Sequence, residues 1–168
     1  MNRYQLAKLV EWAGTLESRK RMQKVVYMLQ AAGCPLDADF FLHRYGPYSQ
    51  DVAQLTDEMV RQKLLNETEI PVGNGSKYAY ALPHAVQQQV RETEATQHGR
   101  DWLAALVPYE AKARQFLKAD LKELEFASTI LFFHQQGRDW NTAVAQAEQF
   151  KQTSAVRAAL PLAQQAIQ

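Results

Sequence analysis

SRKRMQKVVYMLQAAGCPLDADFFLHRYGPYSQDVAQLTDEMVRQKLL, residues 18–65, reads as helix, extended arm, tight turn and helix. Met22, Val25, Val26 and Leu29 recur at i, i+3, i+4 and i+7, the stripe of a helix with one buried face. Ser18 is a candidate N-cap and Gly33 a candidate terminator. Pro35 blocks helix continuation and biases Cys34 toward extended backbone. Phe40 to Tyr45 then suits a short strand or arm, with His43 as an ordinary packing or hydrogen-bonding residue. Gly46-Pro47 is expected to turn the chain, and Tyr48-Ser49 to open a third helix reaching about Gln62. Val52, Leu55 and Met59 form the core stripe of that helix. Its other face carries Gln50, Asp51, Gln54, Asp57, Glu58 and Arg61.

Upstream, Asn2 and Gln5 have capping-box spacing and introduce Leu6, Leu9, Val10 and Ala13, with Gly14 as terminator. Downstream, Leu64-Leu65 begins a strand. Tyr78, Tyr80 and Leu82 alternate with smaller or polar neighbours at a period of two. Between the two strands lies Gly73-Asn74-Gly75, and Asn-Gly is a strong hairpin signal. Three helices, a short strand before the third, and a terminal hairpin are the layout of a winged helix, a helix-turn-helix relative. The fold class expected is therefore mainly α: a winged-helix-like domain with a small β-hairpin wing over residues 1–82. A C-terminal helical extension packing on it is expected over residues 83–168.

Pro83 suits the first position of a helix. Gln87 to His98 is polar nearly all round. Trp102, Leu103, Leu106 and Val107 form an apolar cluster that Pro108 interrupts, and a short helix follows from Tyr109 to Leu117. Asp120 and Glu123 repeat the capping-box spacing before Leu124, Ala127, Ser128 and Leu131. Ile130, Phe132 and Phe133 widen that apolar surface, making this the most buried helix of the second half. Asp139 caps another helix, and Ser154 begins a last one disturbed at Pro161.

The 168 residues carry a formal net charge of +1, with acids and bases nearly cancelling. A dedicated nucleic-acid binder carries a clear basic excess, so the balance weighs against DNA. The single cysteine, Cys34, supports no intrachain disulfide, and no apolar run approaches the length of a membrane span. A cytoplasmic location and no membrane partner are expected. His43, His84, His98 and His134 are scattered without metal-ligand spacing. No serine sits in a nucleophile elbow, and GNGSK at 73–77 lacks the spacing of a phosphate loop. No catalytic residue, no metal and no cofactor are expected, and the chain is read as not an enzyme.

Arg19, Lys20, Gln23, Lys24 and Tyr27 form an R-K-x-x-Q-K-x-x-Y segment ahead of an aromatic arm and the Y-G-P-Y-S block of Tyr45, Gly46, Pro47, Tyr48 and Ser49. In these residues the chain resembles the YwgA-like family of uncharacterised bacterial proteins. More distantly, the helix–arm–GP–helix pattern is similar to the Panacea or SocA-type antitoxin domain. The close likeness covers about a third of the chain. It implies a winged-helix-like fold and no agreed activity.

Two functions are weighed. One is a regulatory or protein-interaction module, antitoxin-like in its narrower form. The other is a DNA-binding transcription regulator. A DNA-reading third helix should present Arg, Lys, Asn or Gln to bases and phosphates, whereas Asp51, Asp57 and Glu58 repel phosphate. A protein partner is therefore favoured. The partner patch is expected to comprise Arg19, Lys20, Lys24, Tyr45 and Tyr48, with the basic residues turned outward from the Met22–Leu29 stripe. Gly46 and Pro47 are expected to form a structural joint.

Overall fold

Asn2 opens the chain's first helix, α1 (Arg3–Ala13), by a complete capping box. Its side chain accepts from the Gln5 amide, and the Gln5 side chain accepts from the Asn2 amide. The computed structural model describes all 168 residues. After α1 come β1 (Leu16–Glu17) and α2 (Arg19–Ala31). The arm is a two-stranded hairpin, β2 (Phe41–His43) against β3 (Gly46–Tyr48). It is followed by α3 (Gln50–Arg61), with Ser49 as N-cap. The second hairpin, β4 (Asn66–Val72) and β5 (Gly75–Ala81), takes β1 on its β5 edge. The result is a three-stranded antiparallel sheet of order β1-β5-β4, with Leu16 opposite Tyr80.

The remaining elements are helical: α4 (His84–Ala95), α5 (Gln97–Leu106), α6 (Glu110–Lys118), α7 (Leu121–Gln135), α8 (Trp140–Lys151) and α9 (Leu160–Ala166). Short 3-10 turns precede α6 and α9. The protein is thus mainly helical, with a small antiparallel sheet and a C-terminal helical region. Asp120 caps α7 through the Lys122 and Glu123 amides, and Asp139 caps α8 through Thr142. No helix is long and apolar enough to cross a membrane.

The arm departs from the sequence reading. Gly46-Pro47 does not turn the chain. The turn is Arg44–Tyr45, and Gly46, Pro47 and Tyr48 return as a strand, with Pro47 opposite Leu42. A proline lacks the amide proton, which restricts it in a sheet to an unpaired edge. Here a helix side chain occupies that edge: Lys24 Nζ donates to the Pro47 carbonyl at 2.7 Å.

The core is continuous across both halves. Leu6, Val10, Met22, Val25 and Leu29 join Leu124, Ile130, Leu131, Ala143 and Ala163 in one cluster of 39 buried residues. At its centre is α7, buried without a break from Leu124 to Leu131 and packed on α2, α8, α9 and β3. Each large apolar side chain so buried contributes about 1.5–3 kcal/mol. The contact of α7 with α2 and β3 is what builds the site.

Candidate functional site

The basic segment at the start of α2 holds other elements in place. Arg19 Nε donates to Tyr80 Oη at 2.8 Å and Nη2 to Glu67 Oε2 at 2.9 Å, while its guanidinium lies over the Tyr78 ring. Burial alone would raise the Glu67 carboxyl. The hydrogen bonds from Tyr80 and Arg19 overcome that and hold it below its ordinary value. Gln23 forms a reciprocal pair with the backbone of Ser49. Its Nε2 donates to the carbonyl at 2.9 Å, and its Oε1 accepts from the amide at 2.8 Å. Tyr27 is a core residue whose Oη donates to Gln135 Oε1 and whose ring packs edge-on against Phe40. The R-K-x-x-Q-K-x-x-Y spacing therefore places one fastening per helical turn, to the second hairpin, the α3 N-cap and α7 in succession.

Lys24 corrects the expectation that the bases turn outward: it is only 2 % exposed. Its position, one turn from Lys20, lies where β3 and α7 close over α2. The path is opened by Gly46, whose φ is +90°. A Cβ there would stand 3.5 Å from Lys24 Nζ and 2.6 Å from Thr129 Oγ1.

Next to Lys24 is a carboxylate that the sequence reading did not single out. Glu125 of α7 is 2 % exposed. Its Oε2 accepts from Lys20 Nζ at 2.9 Å and its Oε1 from Lys151 Nζ at 2.6 Å, with Lys122 at 3.8 Å. Burial pushes its carboxyl up, and the hydrogen bonds from Lys151 and Lys20 push it further down, so it stays ionised. One carboxylate cannot serve all its neighbours. Burial, reinforced by the nearby Lys122 and Lys20 ammoniums, leaves Lys151 below its ordinary value in spite of Glu125. Burial first, then the Lys151 charge, brings Lys24 down to about 7 against the partial opposition of Glu125.

Between the N-terminal turns of α2 and α3 and the β2–β3 hairpin lies a cleft of about 300 Å³. Arg19, Lys20, Lys24, Tyr45 and Tyr48 all line it, so the structure brings together the five residues picked from sequence. His43, Gln50, Thr56 and Asp57 also line it. His43 is not a packed residue but an exposed one, its ring 5.5 Å from that of Tyr48 and 6.3 Å from that of Tyr45. Tyr45 is 45 % exposed and stands under the Lys20 ammonium, which is 4.2 Å from its ring centroid. Gly46 and Pro47 lie behind the cleft, buried against α2 and α7. The arrangement offers cationic hydrogen-bond donors beside flat rings. It holds no cluster of His, Cys, Asp and Glu arranged to bind a metal ion.

No known family model matches the chain. The chain is similar to the uncharacterized protein YwgA of Bacillus subtilis, 24% identical over 128 residues that cover 76% of this chain and 72% of the relative.

Proposed function

We propose that this is a non-enzymatic regulatory module of winged-helix-like fold that binds an acidic protein partner at the cleft between α2 and the β2–β3 hairpin. The observation that carries the reading is the convergence of Arg19, Lys20, Lys24, Tyr45 and Tyr48 on one concave surface. Cations beside exposed aromatic rings suit carboxylates presented next to apolar groups. An antitoxin-like role is the narrower form, and it rests on the distant likeness of the helix–arm–helix pattern to the Panacea or SocA-type domain.

A DNA-binding regulator is the second reading. It is favoured by the order helix, strand, helix, helix, hairpin that remains once the small β2–β3 hairpin between α2 and α3 is set aside, with β1 added to the second hairpin. Against it, the outer face of α3 exposes Asp51 and Asp57, and Glu58 is tied to Arg3. A recognition helix so charged is repelled by the phosphate backbone.

The test is a paired substitution, Arg19→Gln with Lys20→Gln. Neutral side chains are preferable to charge reversal, because a glutamate at either position would face Glu67 or Glu125. After a check of folding, wild type is expected to retain a protein partner from lysate that the variant loses, and to show no affinity for duplex DNA. Duplex binding by wild type with a steep salt dependence, abolished in the variant, would establish the DNA reading instead. Retention of every partner by the variant refutes the cleft.

A further inference from the structure

Three buried or half-buried lysine amines, from Lys20, Lys24 and Lys151, meet a single carboxylate, Glu125. Lys20 and Lys151 take its two oxygens. Lys24 is left with one acceptor, the Pro47 carbonyl, for an amine that carries three protons when charged. Of the groups facing it, Lys20 comes from α2 itself, Glu125 from α7, Lys151 from α8, His43, Tyr45 and Tyr48 from the first hairpin, and Asp57 from α3 across the cleft. Asp57 is held 3.7 Å from Arg19, leaving Lys24 without an ion-pair partner. An amine this deep, with donors to spare and cationic neighbours, lacks a counter-charge.

We infer that the missing charge comes from outside: the cleft receives a carboxylate from an acidic segment of the partner, seated against Lys24 and Lys20 and flanked by the rings of Tyr45 and Tyr48. This deepens the proposed function and rests on it. The volume of about 300 Å³ is at the small end of ligand sites, room for one acidic side chain and its neighbour rather than for a docked helix. Charge complementarity chooses a carboxylate over a cationic or neutral group. The rings supply flat apolar walls beside the ammoniums.

The inference has a signature that surface charge pairing lacks. Unliganded Lys24 titrates at about 7. An entering carboxylate favours the ammonium, so binding takes up a proton. The dissociation constant should then rise about tenfold per pH unit above pH 7, and stay flat below it.

The experiment is an NMR titration of the full chain, labelled with ¹⁵N-lysine, with the capped peptide acetyl-Glu-Tyr-Glu-amide. Its isostere acetyl-Gln-Tyr-Gln-amide is the neutral control, and sodium benzoate is the free-anion arm. The expected result is a shift of the Lys24 amine signal with the acidic peptide and not with the neutral one. Its dissociation constant should weaken at least about tenfold between pH 6.5 and 8.5. Lys24→Met should abolish that pH dependence. If this variant fails to fold, the wild-type titration decides alone. An unmoved Lys24 signal, equal binding of the neutral peptide, or a pH-independent affinity overturns the inference. Proton-linked binding of benzoate without the peptide also overturns it, because the site would then serve a free small anion. Loss of a lysate partner in Arg19→Gln/Lys20→Gln with an unresponsive Lys24 leaves the proposed function standing and removes only this inference. A responsive Lys24 with no partner dependent on Arg19 and Lys20 refutes the proposed function, and with it the partner as the source of the carboxylate.

Discussion

Replacing Gly46 by alanine tests the joint that holds the first hairpin against α2 and α7. Two costs add. The backbone at this position has φ +90°, where an L-residue loses roughly 1–2 kcal/mol against glycine. The new Cβ would also stand 2.6 Å from Thr129 Oγ1 and 3.6 Å from the Glu125 carbonyl. Thr129 cannot swing freely, because its hydroxyl donates to that same carbonyl at 2.8 Å from within a buried helix. Forcing an extra methyl into such packing costs about 1–3 kcal/mol. Gly46→Ala should therefore lower stability by about 2–5 kcal/mol, a fall in Tm of roughly 5–20 °C for a chain of this length. Gly46→Val should cost more. Urea unfolding followed by circular dichroism gives the value. A double-mutant cycle separates the causes: Thr129→Ala removes the clash and leaves the φ penalty. The pair should be less destabilised than the sum of the single changes, by about 1–3 kcal/mol. An unchanged midpoint for Gly46→Ala, or strict additivity with Thr129→Ala, refutes the reasoning.

Gln23→Ala strips two partners from the buried Ser49 backbone and should cost about 2–4 kcal/mol in chemical denaturation. A loss below about 0.5 kcal/mol would mean that the reciprocal pair fastens nothing. Glu125 has a folded pKa below its ordinary value, so the stability it contributes is present above the ordinary carboxylate range and is lost as pH falls through the folded value. Glu125→Gln should accordingly lower the urea midpoint more at pH 7 than at pH 3; equal losses at both pH values would contradict the buried ion pairs.

What the sequence made legible was local. Asn2 with Gln5, Asp120 and Asp139 cap the helices expected of them, because a cap is read within one turn. The second hairpin was equally plain from its tyrosine alternation and its Gly-Asn-Gly turn. β1 carried no signal. Two residues have no period, and Leu16–Glu17 is a strand only because β5 pairs with it. Gly46-Pro47 misled for a related reason. A Gly-Pro pair favours a turn, yet here the glycine gives Thr129 and Lys24 room to approach β3.

The site was half legible. Arg19, Lys20, Lys24, Tyr45 and Tyr48 are close enough in sequence for helix spacing and the short arm to suggest one surface. Their partner Glu125 lies 105 residues beyond Lys20, and Lys151 a further 26 along the chain. Read alone, Glu125 with Lys122 is an ordinary i, i+3 surface pair. One signal pointed the other way. From Leu124 to Phe133, LEFASTILFF sets apolar residues on every side of its helix, the pattern of a helix buried nearly all round. A glutamate between Leu124 and Phe126 falls inside that apolar stretch, and an ionised acid buried there requires cationic partners. Of the lysines near enough to supply them, Lys24 is the one left over, and that surplus is why the cleft in front of it calls for an anion.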